Sequence, residues 1–347
     1  MRKLDSLLAI PALDRASQPN IQAAIDGKAK PLHALGRIEQ LAVQLAVIQK
    51  TALPAVSQPH LLVFAGDHGL TRSGVAAYPS AVTVSMVDTL LSGRASANAF
   101  ARVVGAQVSV IDSGVAADLS DRQGLIHAKI ALGTNDACEV PAMSADQAVS
   151  ALIAGADVAM QAIANGANLI CLGEMGIGNS SSAALIIHRL APAPLETCVG
   201  PGAGHSPEGL AHKYRVLAKA AARTDVNEPI DVLAQFGGYE IAMMAGALLA
   251  CAKAGVAVIV DGVICSAAAL IALRLAPQAH DYCIFAHASV EPGHKIIMDA
   301  LGAKPLLNLG MRLGEGTGAL LAIPLLQAAC GLLSDVADLK EVLEGSA

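Results

Sequence analysis

One carboxylate in this chain is singled out by its neighbours. Near the C-terminus the sequence reads Asn308-Leu-Gly-Met-Arg-Leu-Gly-Glu-Gly-Thr-Gly-Ala319, which places Glu315 between two glycines at the mouth of an apolar run. Flanking glycines free the backbone for unusual dihedrals and let a ligand come close, and an acid is favoured at a helix start by the dipole. A second stretch, Gly173-Glu-Met-Gly-Ile-Gly-Asn-Ser-Ser-Ser-Ala183, opens another apolar run. Glycines followed by hydroxyls at a helix N-terminus offer N–H groups and a positive dipole end to an anion, most simply a phosphate. The stretch lacks the Gly-Lys-Ser/Thr ending of a Walker A loop, and its glycines depart from Gly-x-Gly-x-x-Gly. A third loop, Gly200-Pro-Gly-Ala-Gly-His205, leads towards Lys213, a point charge for the same phosphate. The plainer readings are a first-turn acid, a structural turn and a solvated lysine.

These residues need a scaffold, and its periodicity is legible. Short apolar runs at 61–65, 108–112, 169–172, 256–260, 282–285 and 305–308 alternate with longer helical patterns. That alternation predicts an α/β fold, a doubly wound and mainly parallel sheet whose ligand lies beyond the carboxyl ends of the strands. Glycines and polar residues follow each run: Asp67-His68 after the first, Glu174 after the third, Asp261-Gly262 after the fourth, His287-Ala-Ser289 after the fifth. An acid at this rim, such as Asp67 or Asp261, could bind ligand hydroxyls or cap the turn that follows it. Residues 35–49 carry Ile38, Leu41, Ala42, Leu45 and Ile48 on one helical face. Residues 1–59 and 317–347 are mostly helical by this test and are expected to form a small helical subdomain beside an α/β domain at 60–316. No solenoid repeat or Pro/Ser-rich linker divides the chain.

Composition narrows the function. The 347 residues carry a formal charge of -6, no Trp, four Tyr and four Phe, which leaves neither the basic footprint nor the stacking platform of a nucleic-acid binder. The uncharged stretch 316–334 approaches transmembrane length but contains Pro324 and Gln327 and lacks a basic flank, so it reads as a buried helix. No signal peptide is legible at the N-terminus. Seven scattered cysteines without a Cys-x-x-Cys pair fit a reducing cytoplasm. Neither a metal nor a cofactor is expected, because Asp67-His68 and His287 with His294 are commoner as hydrogen-bonding groups than as ligands.

Taken together, Leu35-Gly-Arg-Ile-Glu39, Gly66-Asp-His-Gly69, Tyr78-Pro-Ser-Ala-Val-Thr83, the 173–181 loop, Gly237-Gly-Tyr-Glu-Ile-Ala242, Asp261-Gly262, Glu291-Pro-Gly-His294 and Gly310-Met-Arg-Leu-Gly-Glu-Gly-Thr-Gly318 resemble the nicotinate-nucleotide:dimethylbenzimidazole phosphoribosyltransferase family over nearly the whole chain. The resemblance implies transfer of phosphoribose from nicotinate mononucleotide to 5,6-dimethylbenzimidazole, giving α-ribazole 5'-phosphate and nicotinate for the lower ligand of cobalamin. It implies Glu315 as the base that deprotonates the attacking ring. It also implies a phosphoribose clamp of Gly176, Gly178, Asn179, Ser180, Lys213 and Ser289, and a homodimer. Glu174 would orient the ribose hydroxyls, assist proton transfer or serve as a structural acceptor; as a second negative charge in the phosphate loop it looks ill placed.

One departure stands out. Where the family commonly reads Pro-x-Glu-Val-Thr-x-Gln-Met, this chain has Pro79-Ser-Ala-Val-Thr-Val-Ser-Met86. The segment helps line the base pocket in the family, so Tyr78, Ser80, Ala81, Ser85 and Met86 are expected there, with Ala81 and Ser85 enlarging the slot for another base such as a purine or a phenol. Two other readings compete. A dehydrogenase would place a ribose-binding acid about twenty residues beyond the glycines, where Glu196 falls after Ala191-Pro-Ala-Pro194. A nucleotide sensor or inactive partner subunit would keep the clamp without turnover.

Overall fold

The structure is a computed structural model and describes residues 2–202 and 204–345. Six strands form one parallel sheet: β1 (Pro59–Gly66), β2 (Gln107–Gly114), β3 (Leu125–His127), β4 (Leu169–Met175), β5 (Ala257–Val260) and β6 (Cys283–Phe285), in the order β3-β2-β1-β4-β5-β6. Every residue of β1 and β5 is buried, as expected of strands covered by helices on both faces. From β1 the chain winds outward to β2 and β3, then returns to β4 and winds the other way. The order therefore reverses between β1 and β4, and the crevice at their carboxyl ends is the topological switch point where doubly wound sheets bind ligands.

The edges differ from the sequence pattern. The three-residue β3 lies beside β2 without a recognisable apolar run. Residues 305–308 do not form a strand: Pro305 has no N–H to give, and only Leu307 makes a single parallel bridge, to His287 just beyond β6. The Leu307 N–H donates to Ala286 O at 2.9 Å, which still draws the segment to the sheet's rim.

Helices Ala145–Ala164 and Thr317–Ser334 are long and apolar enough to cross a membrane, yet both pack inside this fold. Ala145–Ala164 crosses Tyr239–Ala254 at glycines: a Cβ on Gly155 would lie 1.9 Å from Met243 O, and one on Gly246 1.8 Å from Leu152 O. Thr317–Ser334 lies on β4 and β5 and against Arg37–Ile48 and Ser96–Val104. This packing carries the start of Thr317–Ser334 to the carboxyl ends of the strands, next to Gly173, whose Cβ would come within 2.8 Å of the Glu315 carbonyl.

Candidate active site

A cavity of about 340 Å³ opens at the switch point, and Glu315, Glu174, the 176–180 loop, Ser289, Tyr78 and Met86 all reach its wall. Glu315 reaches it through an unusual backbone. Its φ is +59°, between Gly314 at +91° and Gly316 at +77°, so three successive residues occupy the left-handed region. A side-chain-bearing residue pays for that conformation in strain, and such residues cluster at functional sites. The two glycines are required by space as well, since a Cβ on Gly314 would meet Glu174 Oε1 at 2.3 Å and one on Gly316 would meet Leu61 Cδ1 at 2.3 Å. The buried carboxyl is pushed above the ordinary range by desolvation, against which the Ala97 N–H, 3.4 Å from Oε2, acts weakly.

Glu174 is the penultimate residue of β4, and Asn179 Nδ2 donates to its Oε2. Burial, then the nearby Asp261 and Glu240 carboxyls, raise its pKa to about 8, despite the Asn179 hydrogen bond. At neutral pH Glu174 is therefore mostly protonated and adds little negative charge beside the 176–180 loop, which eases the misfit seen in the sequence.

The helix Asn179–Leu190 starts earlier than the apolar run, with Gly178 at φ +96° as its cap, so Asn179 and Ser180 occupy its first turn. Gly178 has no room for a side chain, because a Cβ would stand 2.7 Å from Thr71 Cγ2. Lys213 does not line the cavity. It is buried one layer back, where Nζ donates to Ser180 Oγ (3.0 Å) and Gly200 O (2.9 Å). Burial lowers its pKa to about 8, with the Glu291 carboxyl opposing.

One wall of the cavity is formed by Tyr78 and the helix Ala81–Leu91, and here the expected residues divide. Tyr78, just before the helix, and Val82 and Met86, four apart on it, line the cavity. Ala81 and Ser85 form the adjacent stripe, rotated by one residue, and are exposed; neither lines the cavity. Ser80 is turned to Thr71, with the two hydroxyl oxygens 2.9 Å apart. From the same helix, the buried Thr83 hydroxyl donates to Asp67 Oδ1 (2.7 Å) and accepts from the Ile177 N–H (3.2 Å). Asp67 Oδ2 also accepts from the Ala116 N–H at 2.9 Å, so this acid ties elements together.

Val82, His205, Glu291 and Arg312 also reach the wall and carried no assignment from sequence. Val82 was legible from its helical spacing to Met86. Arg312, whose Nη1 donates to Gly202 O at 2.7 Å, and Glu291 lay inside quoted motifs but had no signal of their own. His68 donates to or accepts from Glu240 at 2.6 Å, and His287 stands 3.6 Å from Asp261. Among the described residues, one group of acids and histidine is close enough to share a metal ion: Asp26, His33 and Glu39, away from the cavity, with Glu39 paired to Lys30 at 2.8 Å. Glu196 sits exposed in the short helix Leu195–Cys198 and not at a strand end, which removes the dehydrogenase reading.

A family model described as phosphoribosyltransferase matches residues 10–342. The chain belongs to this phosphoribosyltransferase family. Nicotinate-nucleotide--dimethylbenzimidazole phosphoribosyltransferase from Aromatoleum aromaticum is 49% identical over 335 residues, covering 96% of this chain and 97% of the relative. The protein of that name from Cupriavidus taiwanensis is 49% identical over 329 residues, covering 94% and 95%. The crystal structure of CobT from Thermus thermophilus superposes with a TM-score of 0.90 at 40% identity, covering 94% of this chain and 98% of that one. That structure therefore shares the overall chain path described above.

Proposed function

We infer that the protein transfers the phosphoribosyl group of nicotinate mononucleotide to 5,6-dimethylbenzimidazole, giving α-ribazole 5'-phosphate and nicotinate in cobalamin nucleotide-loop assembly. The observation that carries this reading is the placement of Glu315, held in a strained turn between an apolar acceptor wall and a phosphate loop. One ring nitrogen of the base attacks the anomeric carbon from the face opposite the pyridinium. The bond to nicotinate breaks, and its electron pair goes to the pyridine nitrogen. Glu315 takes the proton from the base's other nitrogen, so the new nucleoside leaves without an added charge. Desolvation makes the carboxylate a stronger base for this step.

Gly176, Gly178, Asn179, Ser180 and Ser289 hold the phosphoribose, with Lys213 acting through Ser180 as a charge one layer back. Fixing the sugar against the base supplies most of the rate, as positioning does in two-substrate transfers. Tyr78, Val82 and Met86 give the cavity a largely apolar wall that suits a methylated benzimidazole. The expectation of a purine or phenol acceptor rested on Ala81 and Ser85, which are not part of that wall. We also take the enzyme to be a cytoplasmic homodimer that binds neither nucleic acid nor membrane, with residues 1–59 and 317–347 as a helical subdomain beside the 60–316 transfer domain. Support for the cytoplasmic setting comes from the seven free, buried cysteines.

The deciding experiment measures nicotinate release from nicotinate mononucleotide with dimethylbenzimidazole, adenine or p-cresol, in the wild type and Glu315→Gln. Release should depend on the added base, favour dimethylbenzimidazole, and fall by about 100-fold or more in the variant. No release with any base would sink the reading.

A further inference from the structure

This inference rests on the transfer reading but concerns a residue behind the cavity wall. Asp261 follows β5 and is fully buried. Its partners are not those of an acid capping only its own turn. The Ala319 N–H donates to Oδ1 at 2.9 Å from far along the chain, and the N–H groups of Gly318, Gly262 and Gly316 also act on the carboxyl at weaker geometry. Three of these four groups belong to the start of Thr317–Ser334, where a carboxylate also meets the positive end of the helix dipole. The contact is close: a Cβ on Gly318 would lie 2.6 Å from Asp261 Oδ1 and 2.1 Å from His287 Cδ2. His287 Nε2 stands 3.6 Å from the same oxygen.

This helix start is continuous with the left-handed turn at Gly314, Glu315 and Gly316. Strained backbone persists only where its surroundings over-determine it. Within the turn, Thr317 closes on Gly314 O through both its N–H (3.1 Å) and its Oγ1 (2.7 Å), while the Glu315 carboxyl is met by the Ala97 N–H at 3.4 Å. A further restraint comes from outside the turn. We propose that Asp261 is a positioning residue that anchors the 316–319 backbone, holds the strained turn and so keeps Glu315 aimed at the acceptor base without touching substrate. The carboxyl is an anchor for an element distant in sequence, neither a ligand for ribose hydroxyls nor a simple cap of the turn that follows β5.

The test compares wild type, Asp261→Asn and Asp261→Ala by amide hydrogen exchange, nicotinate mononucleotide affinity and base-dependent nicotinate release. The asparagine keeps the shape and one acceptor oxygen but loses the charge, so exchange across 316–319 should rise about three- to tenfold and turnover should fall by a similar factor. The alanine should change both by about 10- to 100-fold, the usual cost of a lost hydrogen bond to a charged group. Nicotinate mononucleotide affinity should stay within about twofold in both, because the phosphate loop follows a different strand. Turnover that falls without faster exchange overturns the proposal, as does faster exchange with wild-type turnover, or a twin loss of turnover and nucleotide affinity. If the alanine variant does not fold, the asparagine variant decides by the same comparison. Failure of the transfer reading looks different: the wild type would release no nicotinate, while the exchange contrast at 316–319 would still show whether Asp261 holds the turn.

Discussion

Glu315 and Glu174 are both buried acids, and their environments give them different tasks. The Glu315 carboxyl has few hydrogen bonds and a raised pKa, so as the proposed base it must lose its own proton before it can accept one from the benzimidazole. If Glu315 has that role, the acid limb of kcat/KM should lie above the ordinary glutamate value of 4.5, and a limb at or below that value would contradict it. Gly314→Ala probes the same turn through its backbone. With φ at +91° and a Cβ 2.3 Å from Glu174 Oε1, the variant should lose about 1–3 kcal/mol of stability and much of its turnover. Denaturant titration alongside nicotinate release reads both effects. The glycines on either side of Glu315 made this residue legible in the sequence. The protonation of Glu174 was not legible, because it depends on burial in the folded sheet and on Asp261 and Glu240, which come from other segments.

At the scale of elements, Ala81–Leu91 shows how one helical step separates two functions. The departure from the family pattern at Ala81 and Ser85 could be read along the chain, but the face those residues occupy depends on how the helix sits on the sheet, and Thr83 sets that by its ties to Asp67 and Ile177. Met86→Ala should raise the KM for dimethylbenzimidazole by about tenfold, whereas Ala81→Glu with Ser85→Gln should leave it within about twofold. Steady-state kinetics at saturating nicotinate mononucleotide separates the two outcomes, and a large effect of the polar pair would return those residues to the base site. The same dependence on tertiary contacts explains 305–308, whose apolar pattern suggests a strand but whose proline and short length leave a single bridge.

Over the whole molecule, the parallel sheet was readable because β1, β2, β4, β5 and β6 each fall within or overlap a run of four or five mainly apolar residues, while β3 lies in no such run. The buried acids at its carboxyl rim give the fold a pH dependence. A carboxyl whose folded pKa is raised contributes stability that is complete below its unfolded pKa and is lost as pH rises through the folded value. For Glu174 that loss extends from about 4.5 to about 8. Asp261, near 7, completes most of its loss earlier, and His294, lowered by burial to about 4, acts in the opposite direction below its unfolded value of about 6.5. Between about pH 7 and 8 Glu174 therefore dominates these acids, at no more than about 1.4 kcal/mol per pH unit, while Lys213, lowered by burial to about 8, gains stability as pH rises and opposes it. Over that interval the melting temperature of ligand-free Glu174→Gln should climb relative to that of the wild type; parallel profiles would show that Glu174 does not titrate there.

The cavity wall holds one phenol, Tyr78, and the chain contains no indole at all. Excited at the red edge of the near ultraviolet, the protein is nearly dark, while a benzimidazole emits. Docking of the acceptor against Val82 and Met86 can therefore be followed through the acceptor's own emission, as a change in its colour, intensity and polarisation, with no dye attached and no residue replaced.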